Sequence, residues 1–397
     1  MEVIVKVAFF SNFLNHHQLP FCREMYDLLG DDFKFIATRS ISVERLQMGY
    51  SDMSSTYPFT LNTYESPEKY EQGIRIGTDS DIVIIGSASD VFIQKRLNEN
   101  KLTFRYSERI FKKGQWQVIR PRTLASLYKH HMLYRKSRLY MLCASAYTAC
   151  DFALVGMYRS KTYKWGYFPE VIHYNIENLI SKKQNAVPKI LWAGRFLPWK
   201  HPEHAFLVAE MLKTNGYDFT LDIIGSGQLE CYLRDLIDKL DLSDRVNLLG
   251  NMKPEDVRKH MEIANIYLFT SDFNEGWGAV LNESMNSGCA VVASHAIGSV
   301  PFLVKNGKNG LIYKYGDMQD LFNCTKKLLD DCKLCEQLGI EAYKTLDEHW
   351  NAKVAAERFI QLAKGLLSDH STQYDDGPCS KADVIKQREM YSRIVEK

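Results

Sequence analysis

The sequence predicts an α/β fold of two parallel-sheet domains that face each other across a cleft. Three observations carry this expectation. Short β-rich runs alternate with amphipathic stretches along most of the chain, the pattern of strands covered by helices. The alternation occurs twice, on either side of a joint near "GYFPEVIHYNIENLISKKQNAVP" (166–188). The chain is also long enough, with 397 residues, 45% hydrophobic and 25% charged, to build more than one core. Two Rossmann-like units would bind ligands at the carboxyl ends of their strands.

In the first unit the expected strands are "VIVKVAFF" (3–10), "FKFIAT" (33–38), "DIVIIG" (81–86) and "DFALVG" (151–156). In the second they are "KILWAGR" (189–195), "FTLDIIG" (219–225), "RVNLLG" (245–250), "NIYLFTS" (265–271) and "CAVVAS" (289–294). The apolar spacing of "LDEHWNAKVAAERFIQLAKGLL" (346–367) suits an amphipathic helix, and 368–397 reads as a polar tail. The expected division is therefore 1–170, 171–345, a helix over 346–367, and the tail.

Several classes are disfavoured. No stretch approaches 18 uninterrupted apolar residues, and the start "MEVIVKVAFFSNF" has acids and polar groups where a signal peptide has a basic head and apolar run, so a cytosolic protein is expected. The nine cysteines show no paired metal-ligand spacing, and Cys332 and Cys335 form a lone CxxC inside a helical pattern. The first strand is followed by "SNFLNHHQLPF" rather than GxGxxG, against an NAD or FAD enzyme, and no GxxxxGK[ST] loop occurs.

The most informative stretch is "NEGWGAVLNESMNSG" (274–288). Gly276 and Gly278 stand where a loop enters a helix, keeping Cβ atoms away from a ligand and leaving backbone N–H groups to face an anion such as a diphosphate. Glu275 at the loop mouth suits sugar hydroxyls, and Glu283 inside the helix suits a ribose diol. The plainer reading is a solvated helix with acids near its N-terminus. Upstream, "WAGRFLPWKHPE" (192–203) sets Arg195 and Lys200 after a strand, where two cations would neutralise a departing diphosphate. Surface decoration is the alternative.

With these pieces in order, the second half resembles the donor domain of a GT-B glycosyltransferase of family 4, a retaining group. The matching stretches are "AGRFLPWK", "IIGSGQLECYL", "VNLLGNMKPEDV", "FTSDFNEGWGAVLNESMNSGCAVVAS" and "GSVPFLVKNGKNGLIY", within about 188–345. The resemblance implies Arg195 and Lys200 on the donor diphosphate, Glu275 on the donor sugar and Glu283 on the ribose. It implies Gly276, Trp277 and Gly278 in the loop against sugar and phosphate, with Gly194, Gly225, Gly227 and Asn251 also on the donor side. Catalysis would rest on Glu275, Arg195 and Lys200. A glycosidase sets two carboxyl groups about one bond, whereas here the acids are binders and the acceptor hydroxyl attacks from the leaving-group face without a dedicated base. The donor would be a nucleotide sugar, UDP-linked in preference to GDP-linked, with no other cofactor. No metal is expected, because the only DxD, Asp79 to Asp81, precedes a strand.

The first half departs from the family pattern, lacking the glycine pair and the histidine in their usual form. His16 and His17 in the first loop are candidates for acceptor or phosphate contact, or else plain loop residues. At the end of "KLTFRYSER" (101–109), Glu108 is an acceptor-side candidate beside Arg109, unless it only pairs with Arg109 or Arg105. The family's C-terminal helix returns to the first domain. Residues 91–140 hold thirteen Lys or Arg against two acids, with eight aromatics interleaved, in a chain whose net charge is +2. This suits an anionic membrane surface and a lipid-linked glycan acceptor at the inner face of the membrane; a solvated basic face with core aromatics is the plainer reading. A nucleic-acid partner is not expected. The function implied is sugar transfer in surface or capsular polysaccharide assembly. The alternatives are a nucleotide-sugar epimerase or phosphorylase on the same architecture, or a non-catalytic two-lobed sugar-binding protein.

Overall fold

The computed structural model describes residues 5–42, 53–368, 370, 372–386, 389 and 391–392. The chain forms two compact units, Met1–Glu170 with Asn351–Ile385, and Val171–Trp350 with Lys386–Lys397.

The first unit holds β1 (Val7–Ser11), β2 (Phe33–Ala37), β3 (Thr60–Asn62), β4 (Ile82–Ile85), β5 (Thr103–Ser107), β6 (Leu139–Cys143) and β7 (Thr162–Lys164). They form one parallel sheet in the order β3-β2-β1-β4-β5-β6-β7. Helices shield both faces of such a sheet, so its inner strands are apolar without alternation: every residue of β1 and β4 is buried. Residues 3 and 4 of the first expected strand lie outside the described residues.

"DFALVG" is not a strand. Thr148–Ala153 is a helix, and its buried Asp151 accepts the N–H groups of Ile110 and Phe111 at 3.0 and 2.9 Å. A short apolar run does not distinguish a buried strand from a buried helix turn, and here the carboxylate fixes the helix against the chain after β5. The strands that sequence patterning did not isolate, β3, β5, β6 and β7, include the three-residue β3 and β7 at the sheet edges.

The helix Ala352–Leu367 belongs to this first unit. It starts where Asn351 accepts the N–H of Val354 at 2.9 Å, and its Phe359 meets Phe21, Phe104 and Trp165. Part of the expected polar tail is packed structure: Cys379–Ala382 runs antiparallel along β7, exchanging backbone bonds with Thr162 and Lys164, and Cys379 and Ser380 are buried. It thereby covers an edge strand.

The second unit holds β8 (Lys189–Ala193), β9 (Thr220–Ile224), β10 (Val246–Gly250), β11 (Ile266–Phe269), β12 (Ala290–Ser294) and β13 (Leu311–Tyr313). These are again all parallel, in the order β10-β9-β8-β11-β12-β13. Its core joins Ile190, Trp192, Leu221, Ile223, Leu268 and Val292 from the strands to Phe206, Leu212 and Leu338 from the helices. The CxxC lies in the helix Cys332–Lys344, with Cys332 exposed and Cys335 buried, both free.

In each sheet the strand order reverses once beside the first strand, between β1 and β4 and between β8 and β11. The loops leaving two such strands diverge, which opens a crevice at their carboxyl ends. Lys200 and Glu275 follow the two strands at the second of these points, and His16 and His17 follow β1 at the first.

Candidate functional site

In the second unit, the loops after β8 and β11 are tied together. Thr270 Oγ1 donates to the carbonyl oxygens of Lys200 and His201, 2.8 Å each, and Asp272 N–H donates to Trp199 O at 2.9 Å. On this frame Lys200 Nζ and Glu275 Oε2 form an ion pair, with Ser271 Oγ donating to the same oxygen at 3.1 Å. Both side chains are largely buried, about one-seventh exposed. The two groups expected on diphosphate and on sugar thus hold each other. Arg195 is exposed.

Glu283 sits in the first turn of the short helix Val280–Asn286. Burial raises its carboxyl above the usual carboxylate range, against the pull of Arg258. Arg258 itself bonds the Glu283 backbone oxygen at 3.0 Å and Asn286 Oδ1 at 2.9 Å, supporting the C-terminal end of this helix. Nothing in the sequence pattern pointed to Arg258.

Trp277 keeps its place in the loop, but its ring turns inward. Its side chain is fully buried, packs near Phe302 and Trp350, and donates its indole N–H to Asn282 Oδ1 at 2.9 Å. It is a core anchor that fixes the loop, so its ring does not meet a ligand. Beside it Gly278 adopts φ +81°, a conformation that excludes ordinary side chains.

Gly225 and Gly227 are needed by the protein itself. A Cβ on Gly225 would lie 1.9 Å from Gly194 O, and one on Gly227 2.7 Å from Phe196 O. These three glycines let the loops after β8 and β9 lie against each other. Asn251 is exposed just after β10.

Near Lys200, His201 takes a left-handed conformation, φ +48° and ψ +52°. Burial lowers its pKa, but the Asp272 and Glu203 carboxylates outweigh that and raise it to about 9. His201, Glu203 and His204 bring one ligand atom each within 4.8 Å of one another. A protonated His201, already bonded to Glu203 at 2.7 Å and to Tyr315 at 3.0 Å, repels a cation, so we read the trio as an ion-paired lock.

The first unit has its own cavity, of about 450 Å³, where β1, β4 and β5 end. Asn12, His16, His17, Ser87, Glu108 and Tyr167 are among its lining residues. Glu108 pairs with neither Arg105 nor Arg109: Oε1 accepts from Tyr167 Oη at 2.6 Å and Oε2 from Lys112 Nζ at 2.5 Å. His17 stacks on Tyr167 at 5.4 Å, and its Nδ1 is buried without a hydrogen-bond partner. Burial, then His16, lowers its pKa to about 3, so at neutral pH it is no cation for a phosphate. Tyr167 was missed because it lies in the joint, far in sequence from the loops it meets.

Arg109 is corrected. It is 3% exposed, faces Asp151 at 3.4 Å and lies over the Tyr147 ring, inside the unit rather than on the cavity wall. The basic stretch divides in the same way. Arg96 is fully buried, donating to Thr103 Oγ1 and to the carbonyls of Gly77, Ser80, Asp81 and Leu102, and Arg105 grips Asp90 at 2.8 and 2.7 Å.

In keeping with two parallel-sheet α/β domains and these loops, residues 176–345 match the family of glycosyl transferases group 1. The amylovoran biosynthesis glycosyltransferase AmsK of Erwinia amylovora is 33% identical over 183 residues, 45% of this chain and 45% of that protein. The N-acetylgalactosamine-N,N'-diacetylbacillosaminyl-diphospho-undecaprenol 4-alpha-N-acetylgalactosaminyltransferase of Campylobacter jejuni is 31% identical over 205 residues, 49% of this chain and 52% of that one. The chain spans about half the length of the curated relatives it matches. Anabaena HepE in complex with UDP superposes with a TM-score of 0.64 at 16% identity, over 91% of this chain and 100% of that one. At that identity the likeness concerns the fold, which is that of the GT-B glycosyltransferases. Among the described residues no helix is long and apolar enough to cross a membrane.

Proposed function

We propose that the protein is a family 4, retaining glycosyltransferase that moves a sugar from a nucleoside-diphosphate donor, UDP-linked in preference to GDP-linked, to a hydroxyl of a lipid-linked glycan. The observation that carries this reading is the Lys200–Glu275 ion pair in the loops after β8 and β11 of the group 1 domain. When a donor enters, Lys200 turns to the diphosphate, and Glu275, released from it, accepts hydrogen bonds from sugar hydroxyls. Arg195, exposed on the same loop, adds the second positive charge as the diphosphate leaves. Glu283 takes the ribose diol, whose hydroxyls satisfy a carboxyl that burial disfavours as an anion.

The acceptor hydroxyl is held in the first unit's cavity, where Glu108 is oriented by Tyr167 and Lys112. Its proton passes to the departing phosphate, and no metal or other cofactor takes part. The named relatives in amylovoran and undecaprenyl-diphosphate glycan synthesis support a role in surface or capsular polysaccharide assembly, at the inner face of the membrane. The test is incubation with UDP- and GDP-sugars and an undecaprenyl-diphosphate-linked acceptor, followed by NMR of the first product. Retained anomeric configuration is expected, and an inverted product overturns the retaining mechanism.

A further inference from the structure

Five of the fourteen large apolar side chains exposed among the described residues fall between positions 116 and 133: Trp116, Ile119, Leu124, Tyr128 and Leu133. Ile119 is 77% exposed and Trp116 56%. They belong to three consecutive pieces, the 3₁₀ turn Gln115–Ile119, the helix Pro121–His130 and the turn Met132–Tyr134. Scattered exposed hydrophobics need no explanation, but a cluster of this size does.

The exposure is built in rather than a sign of loose packing. From beneath, Gln115 Nε2 bonds Cys150 Sγ and Asp151 Oδ1, Leu127 is buried, and His130 O accepts from the interior Arg105 at 2.7 Å. His131 Nδ1 lies 2.6 Å from Tyr158 Oη. Pinned on that side, the helix presents Leu124 and Tyr128, one turn apart, outward.

Charge identifies the partner. Lys113, Arg120, Arg122, Lys129, Arg135 and Lys136 are exposed around these side chains, and no Asp or Glu occurs between Glu108 and Asp151. The Arg120 guanidinium lies 4.4 Å from the Trp116 ring centroid, so cation and aromatic occupy one spot on the surface. A second copy of the chain would set these cations against each other. A nucleic acid would leave Ile119, Leu124 and Leu133 without a use. An anionic bilayer satisfies both sets, with phosphates against the cations and the apolar side chains below headgroup level.

We infer that the surface of residues 113–136 docks the protein on an anionic lipid bilayer, next to the first unit's cavity. The adjacency comes from Lys112, which precedes the surface by one residue and is ion-paired to Glu108 on the cavity wall. An acceptor anchored in the bilayer would therefore present its glycan at Glu108. This deepens the proposed membrane association and rests on that reading for its acceptor. The binding itself involves no donor and no turnover, so failure of the docking and failure of the transfer chemistry are separately visible.

The experiment is co-sedimentation of the full chain with vesicles of phosphatidylcholine alone, or with added phosphatidylglycerol, at low and high salt. Binding is expected only with phosphatidylglycerol and should weaken with salt. Each cation near an anionic surface changes partitioning roughly fivefold. Arg120→Glu with Arg122→Glu should therefore lower binding more than tenfold, and Trp116→Ser with Ile119→Ser should lower it further at high salt. All four positions are exposed, and circular dichroism confirms the fold. Brominated acyl chains should quench tryptophan emission in the wild type and much less in Trp116→Phe. The inference is overturned if acidic vesicles leave the protein in the supernatant at every salt concentration. Binding untouched by the combined variants overturns it as well. So does variant-sensitive association with duplex RNA or DNA, or with itself in sedimentation velocity, without vesicle binding.

Discussion

Lys200 Nζ and Glu275 Oε2 form an ion pair that joins the loop after β8 to the loop after β11. Each charge is neutralised by a group proposed to bind a different part of the donor. The pair ties the two loops together.

Lys200→Ala is expected to lower transfer about a hundredfold, since a charged contact to a diphosphate is worth about 1.5 to 3 kcal/mol. It also strands Glu275 in a largely buried position, so a stability double-mutant cycle with Glu275→Ala should show favourable coupling of about 1 kcal/mol. Transfer assays and thermal unfolding measure both. Folded Lys200→Ala protein with near-normal transfer would remove Lys200 from the diphosphate.

Glu283→Gln should act oppositely on stability and on binding. Burial raises the Glu283 carboxyl, so its stabilising contribution is full below the unfolded carboxylate pKa and declines as pH rises through the folded value. At neutral pH the amide avoids this cost, and the ligand-free Tm should rise by about 2 °C. Binding of UDP should weaken, because the ribose diol loses an anionic acceptor. A lower Tm together with unchanged UDP affinity would contradict both halves of the argument.

How much of this was legible in the sequence depends on whether a signal was local. The five expected strands of the second unit appear with trimmed ends because each is a β-rich run closed by glycine or a polar turn. "DFALVG" misled because Asp151 works through Ile110 and Phe111, some forty residues away. Glu275, Lys200 and Glu283 could be singled out from spacing, but the pairing of Lys200 with Glu275 and the burial of Glu283 could not. The place of Trp277 in the loop was legible from its glycine neighbours, but not that its ring follows Phe302 and Trp350 into the core. Likewise the run of cations gave no hint that Arg96, Arg105 and Arg109 turn inward to carbonyls and carboxylates.

Glu108→Gln should raise the acceptor KM and lower kcat, leaving donor affinity in the second unit unchanged. Tyr167→Phe removes one hydrogen bond to Glu108 while leaving its carboxylate and Lys112 in place, and should cost less, about three- to tenfold in kcat/KM for the acceptor. Steady-state kinetics with each substrate varied in turn separate these effects. A rise in donor KM with no change for the acceptor would take Glu108 out of the acceptor site.

The final prediction concerns pH and His201. Its folded pKa is raised from the ordinary 6.5 to about 9, with burial opposing and Asp272 and Glu203 prevailing. A group raised in this sense gives stability that is full below the unfolded pKa and lost as pH climbs through the folded one, so the window is pH 6.5 to about 9. The side chain is about one-fifth exposed, and the loss across that window should be on the order of 2 kcal/mol. Because His201 sits at φ +48°, the replacement has to tolerate a left-handed backbone, which makes His201→Asn the suitable variant. Thermal unfolding at pH 6, 7, 8, 9 and 9.5 should show wild-type stability declining across the window and a flatter profile for His201→Asn. His201 joins Glu203 and Asp272 beside Lys200, so donor binding should weaken over the same interval in the wild type and much less in the variant. Parallel pH profiles for the two proteins would show that His201 does not hold the loops through its charge.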